Sequence, residues 1–75
     1  MEKLTQKEEE VMQVLWQLEK AFVKEIVPQL DGSNHYNTIS TVVRKLEEKQ
    51  YVSYEAFGKT HRYFPLVDKE TYRTQ

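Results

Sequence analysis

The sequence changes period once, and that change limits the fold more than any other feature. Up to Lys49 the apolar residues recur at helical spacing; from Tyr51 onward they alternate. A chain of 75 residues built this way puts its helices first and its antiparallel strands last, which is an α+β arrangement with room for one small domain. Tyr51–Phe57 and His61–Leu66 read as two strands separated by Gly58-Lys59-Thr60, so together they make a hairpin. Gly58 is one of two glycines in the chain and stands where a tight turn requires positive φ.

The helices follow in order. Thr5 can cap a first helix while Glu8 reaches back to the cap's own amide, a capping box that starts a helix running from about Gln6 to Leu18. Trp16 on this helix reads as a core residue that keeps its indole N–H near the surface. A short connection over Glu19–Ala21, with one or two extended residues at Ala21 and Phe22, leads into a second stripe of Val23, Ile26, Val27 and Leu30. Pro28 lies inside that stripe and removes a donor, so the second helix is expected to be about two turns long and kinked or loosened there. Asp31-Gly32-Ser33-Asn34 is rich in turn formers, and Asn37 or an immediate neighbour is the expected cap of a third helix.

The third helix, Tyr36 to Lys49, sorts its residues sharply. Ile39, Val42, Val43 and Leu46 fall on one side; Asn37, Thr41, Arg44 and Glu48 fall on the other. Its first two turns carry Asn37, Thr38, Ser40, Thr41, Arg44 and Lys45, short hydrogen-bonding groups followed by two cations. Short polar residues can approach base edges and cations behind them can reach phosphates. An ordinary amphipathic helix with a solvated face would look the same from this stretch alone. The hairpin adds Lys59, Thr60, His61 and Arg62 at its tip and return, which projects positive charge. Two helices joined by a tight polar link, then a basic-tipped hairpin of two or three strands, make a winged helix-turn-helix.

Net charge is −1, but the charge is unevenly spread. Residues 1–31 carry four cations and seven anions, whereas residues 32–64 carry five cations and three anions. The domain is therefore expected to be polarised, with helix 3 and the hairpin on its basic side. The chain has no cysteine, which excludes disulfides and thiolate metal sites. No apolar run approaches the roughly 20 residues that span a bilayer, and the acidic start MEKLTQKEEE does not read as a signal peptide, so a cytoplasmic protein without membrane contact is expected. His35 and His61 are too far apart in sequence to suggest a metal site, and no cofactor motif is present. Glu8 and Glu9 are helix neighbours that do not converge on a substrate, and no nucleophile pattern stands out, so an enzyme is not expected. The rival reading is a winged helix for protein contacts, with Tyr36, Tyr51, Tyr54 and Tyr63 facing a partner.

Four pieces in order carry a resemblance: Leu4-Thr5 leading into Glu8-Glu9-Glu10-Val11-Met12 and Leu15-Trp16; Ala21–Glu25; Tyr36–Arg44; and Gly58–Leu66. From Leu4 to about Tyr72 the chain resembles the N-terminal domain of the penicillinase-repressor family of bacterial transcription repressors, of the BlaI/MecI/CopY type. The resemblance implies a transcriptional repressor that binds a palindromic operator in double-stranded DNA as a homodimer, one reading helix to each half-site's major groove. By position, base-reading and phosphate-binding roles fall on Thr38, Ser40, Thr41, Arg44 and Lys45, beside Asn37, and the wing role on Lys59, His61 and Arg62. The family's C-terminal helices, which form the dimer and are cut after a membrane sensor protease signals, are absent here. Residues 1–67 are thus expected to form the DNA-binding domain and 68–75 the start of the dimerisation segment, with this chain alone monomeric or weakly dimeric. The chain departs from the family at Gln50, where a glycine usually ends helix 3, predicting a frayed end, and at Pro28.

Overall fold

A computed structural model of the chain describes residues 3–30 and 35–73. Helix α1 spans Gln6–Leu18, as its periodicity predicts. Its capping box forms: the Glu8 amide donates to Thr5 Oγ1 at 3.2 Å and the Thr5 amide to Glu8 Oε1 at 2.8 Å. Helix α1 ends abruptly, because Glu19 takes φ 71° and ψ −46° while the Lys20 amide donates to the Leu18 carbonyl at 2.8 Å. That is a γ-turn with positive φ, a strained reversal for a residue with a side chain.

The reversal delivers the two-residue strand β1, Ala21–Phe22, and then helix α2, Val23–Ile26. Glu25 Oε1 accepts from the Phe22 amide at 2.8 Å, which holds the start of α2. Pro28 shortens the element as expected: α2 gives way to a 3-10 turn over Val27–Gln29. The turn expected over 31–34 lies outside the described residues. Helix α3 spans Tyr36–Glu48, and its cap is His35, not Asn37. His35 is extended (φ −97°, ψ 149°) and its side chain makes no capping bond, so Asn37 already lies inside the first turn.

The end of α3 corrects a second expectation, since it does not fray. Gln50 itself adopts φ 65°. Its amide donates to Glu47 at 3.0 Å and the Tyr51 amide donates to Leu46 at 2.9 Å, the paired bonds of a Schellman closure. Tyr51 and Leu46, 1% and 0% exposed, supply the apolar contact that goes with this closure.

Strands β2 (Val52–Phe57) and β3 (Thr60–Pro65) form the hairpin, and β1 joins the outer side of β3 to give the order β1-β3-β2. Phe57 pairs with Thr60 across a two-residue turn in which Gly58 has φ 62°. Strand β1 pairs only with Arg62 and Tyr63; beyond them the tip keeps a side-chain tie to β1, the Phe22 ring lying 5.8 Å from that of Phe57. The sheet's alternation puts Ala21, Val52 and Tyr63, all buried, on the face that meets the helices. Val11, Met12 and Leu15 of α1 with Ile39, Val43 and Leu46 of α3 complete the core.

Two further ties bind the ends of the domain. Glu8, 3% exposed, pairs with Lys49 Nζ at 2.8 Å and so joins the start of α1 to the end of α3. Helix α4, Lys69–Arg73, starts on Asp68, whose carboxylate accepts from the Thr71 amide at 2.7 Å. It lies against α1: the Tyr72 ring meets Trp16 (5.7 Å between centroids) and Tyr51 (6.1 Å), and its hydroxyl donates to Glu9. Trp16 Nε1 donates to the Val67 carbonyl at 2.8 Å, which gives the half-buried indole its expected partner.

Candidate nucleic-acid interface

Helix α3 buries Ile39, Val43 and Leu46, and that choice fixes what it can present outward. Asn37, Thr38, Thr41, Arg44 and Lys45 are all exposed along the opposite ridge, and Ser40 is half-buried on its flank. Thr41 Oγ1 donates to the Asn37 carbonyl at 3.0 Å, so the hydroxyl oxygen keeps its lone pairs outward as an acceptor.

Spaced four apart, Tyr36, Ser40 and Arg44 form one side of a cleft whose other side is the wing. Lys59, Thr60 and His61 close it from the hairpin, Tyr63 forms part of its lining, and Phe22, Val23 and Lys24 line it from β1 and α2. Lys45 points to the other flank of α3, into a shallow groove with Thr5, Glu8, Glu48 and Lys49. The structure therefore gathers Ser40, Arg44, Lys59 and His61 in one place and leaves Asn37, Thr38, Thr41 and Lys45 along the adjoining ridge.

Arg62 stands apart. Strand alternation puts it on the opposite sheet face from His61, beside Phe22 and across from Glu55. Its guanidinium lies 4.8 Å from the Phe57 ring centroid and 3.5 Å from Glu55 Oε1. Glu55 also accepts from Lys20 at 3.0 Å, and these two cations, Lys20 foremost, hold its carboxyl below the usual range. Arg62 is thus spent on the outer face of the wing.

Two exposed cleft residues, Lys24 and Tyr36, were not among the expected DNA contacts. Lys24 sits on α2 beside Phe22, its Nζ 5.9 Å from that ring's centroid, and Tyr36 opens α3 at 53% exposure. The available signal for Lys24 was its place in the first helix of a helix-turn-helix, the element that crosses the phosphate backbone. Of the four tyrosines assigned to a protein partner in the rival reading, Tyr51 and Tyr63 are buried, and burial pushes the Tyr63 phenol up. Of the open pair, Tyr36 lines the cleft and Tyr54 stacks on its His61.

Among the described residues, Lys24, Arg44, Lys45 and Lys59 form no ion pair with a protein carboxylate, whereas Lys49, Lys20 and Arg62 do. These four cations lie on α3 and around the cleft, whereas Lys3, Lys69 and Arg73, also without an ion pair among the described residues, stand near the ends of the described chain. No group of acidic or histidine side chains among the described residues could hold a metal ion. No helix among them is long and apolar enough to cross a membrane.

The sequence profile of the penicillinase repressor family matches residues 4–75. Among solved structures, the solution structure of the DNA binding domain of the repressor BlaI superposes with a TM-score of 0.79 at 26% identity, covering 96% of this chain and 94% of that one. The CopR repressor structure superposes with a TM-score of 0.71 at 30% identity, covering 89% of this chain and 100% of that one. No curated protein sequence matches the chain.

Proposed function

Because the chain belongs to the penicillinase repressor family, we propose that it is a DNA-binding repressor domain that lays α3 in the major groove and its wing tip on the adjacent backbone. It acts as a regulator and not as a catalyst. The observation that carries this reading is a cluster of uncommitted cations: Arg44, Lys45, Lys59 and Lys24 line α3 and the cleft, while Lys20, Lys49 and Arg62 are neutralised internally. Phosphates would neutralise these four. On the same ridge Asn37, Thr38 and Thr41 offer short polar groups to base edges. A protein-docking helix would expose apolar anchors there, and α3 offers only the flank residue Tyr36. The proposal extends to a homodimer in which each copy takes one half of a palindromic operator, held together by a segment following α4 that a signalling protease could cut.

The test is an NMR titration of the labelled domain with a short mixed-sequence duplex, first at low and then at moderate salt. Shifts confined to Asn37–Lys45, Lys24 and Lys59–His61, weakening steeply with salt, are expected. Amides that stay still at low salt would sink the reading.

A further inference from the structure

His61 lies flat on Tyr54, the ring centroids 4.1 Å apart and the planes 17° from parallel. The stack holds the imidazole on the cleft side of the wing. Among the described residues no side chain forms a hydrogen bond or ion pair with it, so both ring nitrogens are open to an incoming group. The groups facing it are Lys59 and Tyr63 on its own hairpin, Tyr54 on β2, Arg44 and Tyr36 on α3, and Lys24 on α2. Glu47 of α3 is the acid that acts on the neighbouring Tyr63 phenol.

We infer that His61 links DNA binding to protonation: when a duplex phosphate enters the cleft the imidazole takes up a proton, so affinity rises as pH falls. The inference rests on the DNA-binding reading above. A phosphate beside an imidazole favours its charged form, so a proton is taken up as the DNA enters. Histidine ordinarily titrates near 6.5, and between about pH 5.5 and 7.5 carboxylates stay charged while tyrosine, lysine and arginine stay protonated. The chain has two histidines, so two side chains can carry the effect. His35 caps α3 and is absent from the cleft.

The experiment measures affinity for a short mixed-sequence duplex at fixed salt across about pH 5.5 to 7.5. The native domain is expected to lose about three- to tenfold in affinity as pH rises, the linkage of less than one proton per complex. His61→Gln should be nearly flat. So should His61→Phe, which keeps a ring on Tyr54 but cannot titrate. His35→Gln should keep the native slope. A native slope that survives in both His61 variants, or a native domain that binds with no slope, overturns the inference. Failure of every variant and of the native domain to bind at low salt is a different result: it removes the DNA-binding reading itself, and the inference with it.

Discussion

Gln50 holds a backbone conformation that glycine adopts at no cost, with φ 65° at the close of α3. The Schellman bonds and the Tyr51–Leu46 contact hold it there, so the strain is stored and not released as fraying. Gln50→Gly should therefore stabilise the domain by about 1 kcal/mol, visible as a melting temperature higher by about 4–8 °C. Glu8 works in the opposite sense. Burial pushes its carboxyl up, but hydrogen bonds from Lys49 and Thr5 outweigh burial and leave it below the ordinary value. A carboxyl lowered by folding stabilises above its unfolded pKa and loses that contribution as pH falls through its folded value. Glu8→Gln should cost about 1–3 kcal/mol at pH 7 and visibly less at pH 3; equal denaturant-midpoint losses at both would show that the ion pair contributes nothing. Glu8 was legible as half of a capping box, because that depends on residues three apart. Its bond to Lys49 spans 41 positions and left no local trace. Arg62 teaches the converse: the parity of β3 already separated it from His61, and reading the hairpin tip as one charged cluster overlooked the alternation.

At the scale of elements, α1, the hairpin and the loosening at Pro28 were readable because each is decided by a few neighbours: a cap with a periodic stripe, a glycine turn between alternating runs, a missing donor. The cap of α3 was not, since His35 does its work through backbone shape with no side-chain bond. Helix α4 shows what tertiary packing adds. Five residues make a marginal helix alone, yet Tyr72 seats it on Trp16 and Tyr51, and the bond to Glu9 pushes the Tyr72 phenol up to about 12. Trp16 is the chain's one tryptophan, so its emission reports that docking. Tyr72→Ala should shift the emission to the red and cost about 1–2 kcal/mol; unchanged emission would mean that α4 leaves Trp16 as it finds it.

For the whole molecule, the near-neutral total conceals a division of labour among its cations. Lys20, Lys49 and Arg62 are bound to acids, whereas, among the described residues, Lys24, Arg44, Lys45 and Lys59 stay unpaired on α3 and around the cleft. Arg44→Ala, at the centre of that unpaired set, should weaken duplex binding by about 1–3 kcal/mol if it reads a base, or lower the salt slope by about one unit if it meets phosphate. Affinity measured at several salt concentrations separates the two, and no change in either quantity would remove Arg44 from the interface. The wing offers a last consequence. Strand β1 pairs with β3 no further out than Arg62, so Gly58 and Lys59 end a cantilever clamped by backbone bonds at its root and braced further out by side chains, Phe22 against Phe57. A rigid arm would accept one groove width. On the DNA-binding reading proposed above, such a cantilever would let the same fold settle on duplexes of differing local shape, so the short reach of β1 would make the domain tolerant of how its DNA is bent.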